Sequence, residues 1–110
     1  MRWSRRWGLA VVKGDSMRPA LEPGDRLLVA YGSRPRPGAV VLARFADGTL
    51  SVKRVAYAAA TTSGVDGWYL LSDNARAGVD SRHRGPVADD HVLAVVLLRI
   101  LPRPGRIPPG

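Results

Sequence analysis

The chain contains no cysteine. That absence excludes disulfides, thiolate zinc sites and a cysteine nucleophile together. Histidine is limited to His83 and His91, too few for a histidine-rich metal site, although either could act singly. Long apolar runs are missing too. The longest, residues 9–12 and 92–98, fall far short of the ~20 residues a spanning helix needs. Lysine is almost absent: only Lys13 and Lys53 stand against fifteen arginines.

The formal charge of +8 therefore comes almost wholly from arginine. Such a balance suits nucleic acid or an anionic membrane surface. It also suits a coding bias toward Arg, Ala, Gly and Pro, and the scattered placement of the arginines agrees with bias. Arg2, Arg5 and Arg6 ahead of residues 9–12 imitate the start of a signal peptide. The apolar part is too short and runs into Lys13-Gly14-Asp15, so that reading is rejected. Trp3 and Trp7 could graze a membrane surface, but are read instead as capping one end of a sheet.

At 110 residues the chain is long enough for one domain with one modest core. Short strands separated by turn residues dominate, at residues 9–12, 26–31, 39–45, 49–58, 68–71 and 91–101. Asp47-Gly48 is a hairpin signal. Met17 to Leu21 reads as one helical turn stopped by Glu22-Pro23-Gly24-Asp25. The expected fold is all-β: a single coiled sheet or barrel with at most one short helical turn. Residues 1–101 form the domain, and 102–110, with four prolines and two glycines, read as a disordered tail.

Ser16 sits in a polar turn between a strand and that helical turn. This placement exposes a hydroxyl and points backbone N–H groups outward, where they can hold an oxyanion. An ordinary turn serine or helix N-cap would look the same. Lys53 separates the two readings. Arginine cannot give up its proton, whereas a desolvated lysine can, and a neutral lysine beside a serine activates the hydroxyl without histidine. Lys53 alternates with Ser51 and Val55 on one strand face. Working near neutral pH requires its pKa to fall roughly three units from ~10.4. A solvent-facing lysine on a half-exposed strand is the plain alternative. Lys13 is a rival base, ranked lower because it is close to Ser16 on the same strand and points away. A third polar segment, Ser72-Asp73-Asn74 with Asp80-Ser81-Arg82, has the composition of a stiff loop.

Taken in order, Gly14-Asp15-Ser16-Met17-Arg18-Pro19 with Gly24-Asp25, then Val52-Lys53-Arg54-Val55, then Ser72-Asp73-Asn74 with Asp80-Ser81-Arg82 and Gly85-Pro86-Val87, resemble the boxes of type I signal peptidases. The wider group includes the self-cleaving domains of SOS-type repressors. The resemblance implies the coiled all-β catalytic core of that group, with Ser16 as nucleophile and Lys53 as general base. Asp15, Ser16 and Met17 would form the oxyanion and substrate pocket. Asp73, Asn74, Asp80, Ser81 and Arg82 would support the site. Some relatives carry a serine at the position of Gly14 and another, beside the lysine, at that of Gly78. Those side chains are missing here, and water, backbone or Ser81 would have to substitute. Ser72 stands where relatives have glycine.

With only fifteen residues before Ser16 and no large insertion after Lys53, the chain is most similar to the small nickel-type superoxide dismutase maturation proteases. The resemblance implies a precursor protein as partner, possession of no cofactor or metal of its own, and a cytoplasmic location with at most peripheral membrane contact. Substrate would add as an extended strand at residues 39–45 or before Ser16. Rival functions are signal-peptide removal at the membrane, a small basic β-barrel binding single-stranded nucleic acid, and an inactive binding relative.

Overall fold

The computed structural model describes residues 6–110; Arg2, Trp3 and Arg5 lie outside the described residues. Seven strands make one antiparallel sheet: β1 (Arg6–Val11), β2 (Arg26–Tyr31), β3 (Val40–Arg44), β4 (Leu50–Ala58), β5 (Gly67–Leu71), β6 (Val87–Ala88) and β7 (Val92–Leu101). Their spatial order is β1-β2-β7-β3-β4-β5-β6, so the last strand of the chain closes the gap between β2 and β3. Register shifts within the β2–β7, β3–β7 and β4–β5 ladders insert unpaired residues, which bend strands and increase their twist. The sheet curls enough to bury both faces of its middle strands.

Alternation in the sequence divides the core in two. Val40 packs with Val12, Met17, Leu21, Leu27, Val29, Ala94 and Val96, and Leu42 and Val52 join from the same face. Val41, Ala43 and Phe45 pack with Val55, Leu70, Val87 and Val92 on the other. Successive residues of β3 thus serve opposite cores, as a period of two requires. The β3–β4 hairpin follows from Asp47-Gly48. The Asp47 carboxylate accepts the Thr49 amide at 2.9 Å, and Gly48 takes φ +87, a region open to glycine.

The expected all-β fold is what the structure has, with departures in detail. Residues 17–21 make the expected single helical turn, closed by the Leu21 amide on the Met17 carbonyl at 2.9 Å. The four-residue helix α1 (Ser81–Arg84) and β6 were not foreseen. Trp7, read as a cap on the sheet, is 65 % exposed on β1. Residues 39–45, offered as an edge for substrate, are interior: β3 is paired to β4 on one side and β7 on the other, so its backbone groups are already taken. Of the two candidate edges only β1, the stretch before Ser16, stands at the end of the strand order.

Residues 102–110, expected as a disordered tail, carry specific contacts instead. Arg99 and Gly105 exchange backbone hydrogen bonds, Ile107 packs against the Val12–Met17 core, and the Pro108 carbonyl accepts from Arg54 at 2.9 Å.

Candidate active site

Ser16 is placed by two clamps. Behind it, Val12 leaves β1 and bonds the Asp25 carbonyl at 2.9 Å, while the Gly24 amide returns to the Val12 carbonyl at 2.8 Å. In front, Asn74 reaches across from the polar segment. Its amide donates to the Ser16 carbonyl at 2.8 Å, and its side-chain nitrogen donates to the Asp15 carbonyl at 3.1 Å. Both carbonyls of the turn are therefore held, and among the described residues no partner takes the Ser16 amide. Free amides on a fixed turn are suited to an oxyanion. Gly14, at φ +72, is the point where the chain swings into this turn.

Lys53 arrives from the middle of β4, opposite Val41 of β3, and is 2 % exposed. The solvent-facing alternative therefore does not hold. Its amine donates to the Ser72 hydroxyl at 3.1 Å. Burial pushes the Lys53 pKa below its ordinary value, the Asp80 carboxylate pulls it back up, and the Arg82 guanidinium pushes it down. The rival, Lys13, is exposed at the mouth of the same cleft.

Gly78 shows how close the two groups come. A Cβ built on it would lie 2.8 Å from Ser16 Cβ, 3.2 Å from Lys53 Nζ and 3.6 Å from Ser16 Oγ. Hydroxyl and amine thus flank one small space that stays open because residue 78 has no side chain. They share a cleft of about 310 Å³ whose walls include Phe45, Ser51 and Val79, with the Asp47–Arg84 ion pair (3.1 Å) among its lining residues. A second cleft of about 300 Å³ also reaches Ser16, and its lining residues include the apolar Leu9, Met17, Leu42, Leu50 and Val52. Met17 itself is buried and shapes the floor of that second cleft rather than the first.

The supporting residues separate into two groups. Asp80, 0 % exposed, accepts the Ser72 amide at 2.8 Å, the Arg82 amide at 3.0 Å and the Arg82 guanidinium at 2.6 and 3.1 Å. Burial alone would raise its pKa, but these donors outweigh it and hold the carboxyl well below the usual carboxylate range. Asp80 also caps α1, with its own amide donated to His83 Nδ1 at 3.3 Å. Ser81 accepts the Leu70 amide at 2.9 Å and so pins α1 to β5. Asp73 belongs to a different pair. It takes Arg54 in a bidentate contact at 3.0 and 2.7 Å, on the β4 residue after Lys53, and Arg54 also holds the Gly38 carbonyl at 3.1 Å.

Ser72, noted in the sequence only as standing where relatives have glycine and given no role, is the one that contacts the lysine. Its signal was the register of β4 against β5: one pair beyond Arg54↔Leu71 sets Lys53 opposite Ser72. Ser81, offered with water and backbone as a substitute beside the lysine, is engaged with Leu70.

A profile of the Peptidase S24-like family matches residues 4–95, which spans every box described above. The chain belongs to the Peptidase S24-like family. Membership makes it a serine peptidase in general terms and agrees with the curled antiparallel sheet. No curated protein matches this S24-like chain significantly. Among the described residues, no helix is long and apolar enough to cross a membrane, and no group of three His, Cys, Asp or Glu is placed to hold a metal ion.

Proposed function

We propose that the protein is a serine endopeptidase in which Ser16 is the nucleophile and Lys53 the general base. The observation that carries this reading is a buried lysine amine sharing one small open space with the serine hydroxyl. Neutral Lys53 takes the proton from Ser16 Oγ as the oxygen attacks a peptide carbonyl carbon. The Ser16 amide supports the resulting oxyanion. Lys53 returns the proton to the departing amine as the C–N bond breaks, leaving an ester on Ser16. Water, deprotonated by the same amine, then hydrolyses the ester.

Substrate enters as an extended segment along β1, between the second cleft and the Ser16 turn. We take the substrate to be a precursor protein that loses an N-terminal extension, as in maturation of nickel-type superoxide dismutase. This finer assignment rests on the small size of the chain, the lack of a large insertion after Lys53 and general similarity to the small maturation proteases. Stacking of Tyr57 on Tyr69, with centroids 4.9 Å apart, occupies one ring face of each, which speaks against the nucleic-acid reading.

The test is cleavage of a dismutase precursor and of a peptide panel by wild type, Ser16→Ala, Lys53→Ala and Lys53→Arg. All three variants should be inactive, Lys53→Arg included, because a guanidinium keeps its proton. Activity in Ser16→Ala or Lys53→Arg would refute the assignment. Cleavage of peptides but not of the precursor would remove only the finer reading.

A further inference from the structure

A lysine amine on a four-carbon stem carries no orientation of its own. To serve as a base it must aim its lone pair at one hydroxyl, and something must hold the remaining N–H groups aside. Among the described residues, the hydrogen-bond partner of Lys53 Nζ is Ser72 Oγ at 3.1 Å. Ser72 is 6 % exposed, and three features fix it. Continued one pair beyond Arg54↔Leu71, the β4–β5 register sets Ser72 opposite Lys53, so the two side chains share one face. Its amide is anchored on the buried Asp80 carboxylate at 2.8 Å. Asp73, the next residue, is locked by Arg54.

The open space beside Gly78 also borders the amine: a Cβ there would stand 3.2 Å from Nζ and 3.6 Å from Ser16 Oγ. Residue 78 cannot supply the missing hydroxyl, since it sits at φ +80 with Ser16 Cβ only 2.8 Å from where a Cβ would stand. We propose that Ser72 is the positioning residue of the site, accepting one N–H of Lys53 so that the amine's lone pair faces Ser16. The proposal rests on the reading of Ser16 and Lys53 as the reacting pair.

With only two lysines, the protein labelled with [13C]lysine gives two side-chain Cε resonances, and Lys13→Arg identifies that of Lys53. The pH titration of this signal reports on the amine without any substrate. Ser72→Ala, Ser72→Thr and wild type are compared by that titration, by kcat and KM against pH on a cleaved peptide, and by Tm. Loss of the acceptor removes a hydrogen bond that favours the ammonium, so in Ser72→Ala the Lys53 titration and the acid limb of kcat/KM should both move to lower pH. The plateau should fall about 10- to 100-fold, mainly in kcat, with Tm close to wild type. Ser72→Thr, which keeps the hydroxyl, should restore both the limb and most of the rate. A purely structural serine would lower Tm and leave the limb in place, which would overturn the proposal. A shifted titration with an unchanged rate would overturn it too, leaving the contact without a role. Cleavage by Ser16→Ala would instead bring down the underlying assignment, and the proposal with it.

Discussion

Replacing Asp80 with asparagine separates its two tasks, holding the loop and biasing the lysine. The carboxylate is fully buried and accepts from Ser72 and Arg82 through both oxygens. Asparagine has one acceptor oxygen and an NH2 group, so one set of donors must face another donor. Breaking a buried charge-assisted pair costs about 3–5 kcal/mol. The Arg82 side chain is 39 % exposed and can be rehydrated, so we expect less than that, about 2–3 kcal/mol. For a domain of this size that is a fall in Tm of about 10 °C.

The loss should depend on pH in a definite direction. Asp80 titrates lower in the folded protein than in the unfolded chain, so its stabilisation is complete above the unfolded value of ~3.9 and is lost as pH falls through the folded value. The Tm difference between wild type and Asp80→Asn should therefore shrink as pH is lowered below about 4. At the same time Lys53 loses the charge that raises its pKa, so the acid limb of kcat/KM should move to lower pH in the variant. Thermal melts from pH 2.5 to 7 and a peptide-cleavage profile read both effects. A Tm difference independent of pH, or an acid limb displaced upward, would refute the electrostatic account.

Other perturbations test neighbouring parts of the structure. In Lys53→Met, cleavage should vanish while stability at neutral pH rises by about 1–3 kcal/mol in thermal melts. The gain should narrow toward pH 10, because the unfolded chain binds more protons than the folded one between the depressed and ordinary lysine pKa. Arg54→Ala strips Asp73, the Gly38 carbonyl and the Pro108 carbonyl of one shared donor, and should cost about 3–5 kcal/mol by denaturant titration. Trypsin should then cut faster after Arg106, whose next residue is Ile107, as the tail is released. Gly78→Ala should cost more than about 1 kcal/mol, because φ +80 disfavours alanine and the new Cβ would press on Ser16 Cβ at 2.8 Å, and should lose kcat/KM at least ~100-fold with the fold retained by circular dichroism. Near-normal activity would show that the space beside Gly78 is not where reaction occurs.

Strands were legible where alternation and turn residues agreed. Arg26 to Tyr31 is bounded by Gly24-Asp25 and Gly32 and forms a strand over that span, and Asp47-Gly48 marks its hairpin. The helical turn at Ser81–Arg84 was not legible, because its cap is made by Asp80 and His83 rather than by a Ser/Thr-Glu box and it is only four residues long. The contacts of the tail were not legible for a related reason. Four prolines and two glycines describe its local freedom, but its position depends on Ile107 finding a core and Arg54 finding a carbonyl, both distant in sequence.

The site divides along the same line, and a single bulge decides it. Pairing Tyr57 with Tyr69 and counting back along β4 without interruption would set Lys53 opposite Asp73 and Arg54 opposite Ser72. A lysine against an aspartate on a buried face would be an ion pair, with its ammonium stabilised and its use as a base lost. The irregularity between Val55 and Tyr57 shifts the register by one residue. Arg54, which cannot lose its proton, then turns to Asp73, and Lys53 meets a neutral hydroxyl. One inserted residue thus sends the permanent cation to the carboxylate and leaves the titratable one without a salt-bridge partner, which no reading of composition or motif order along the chain could supply.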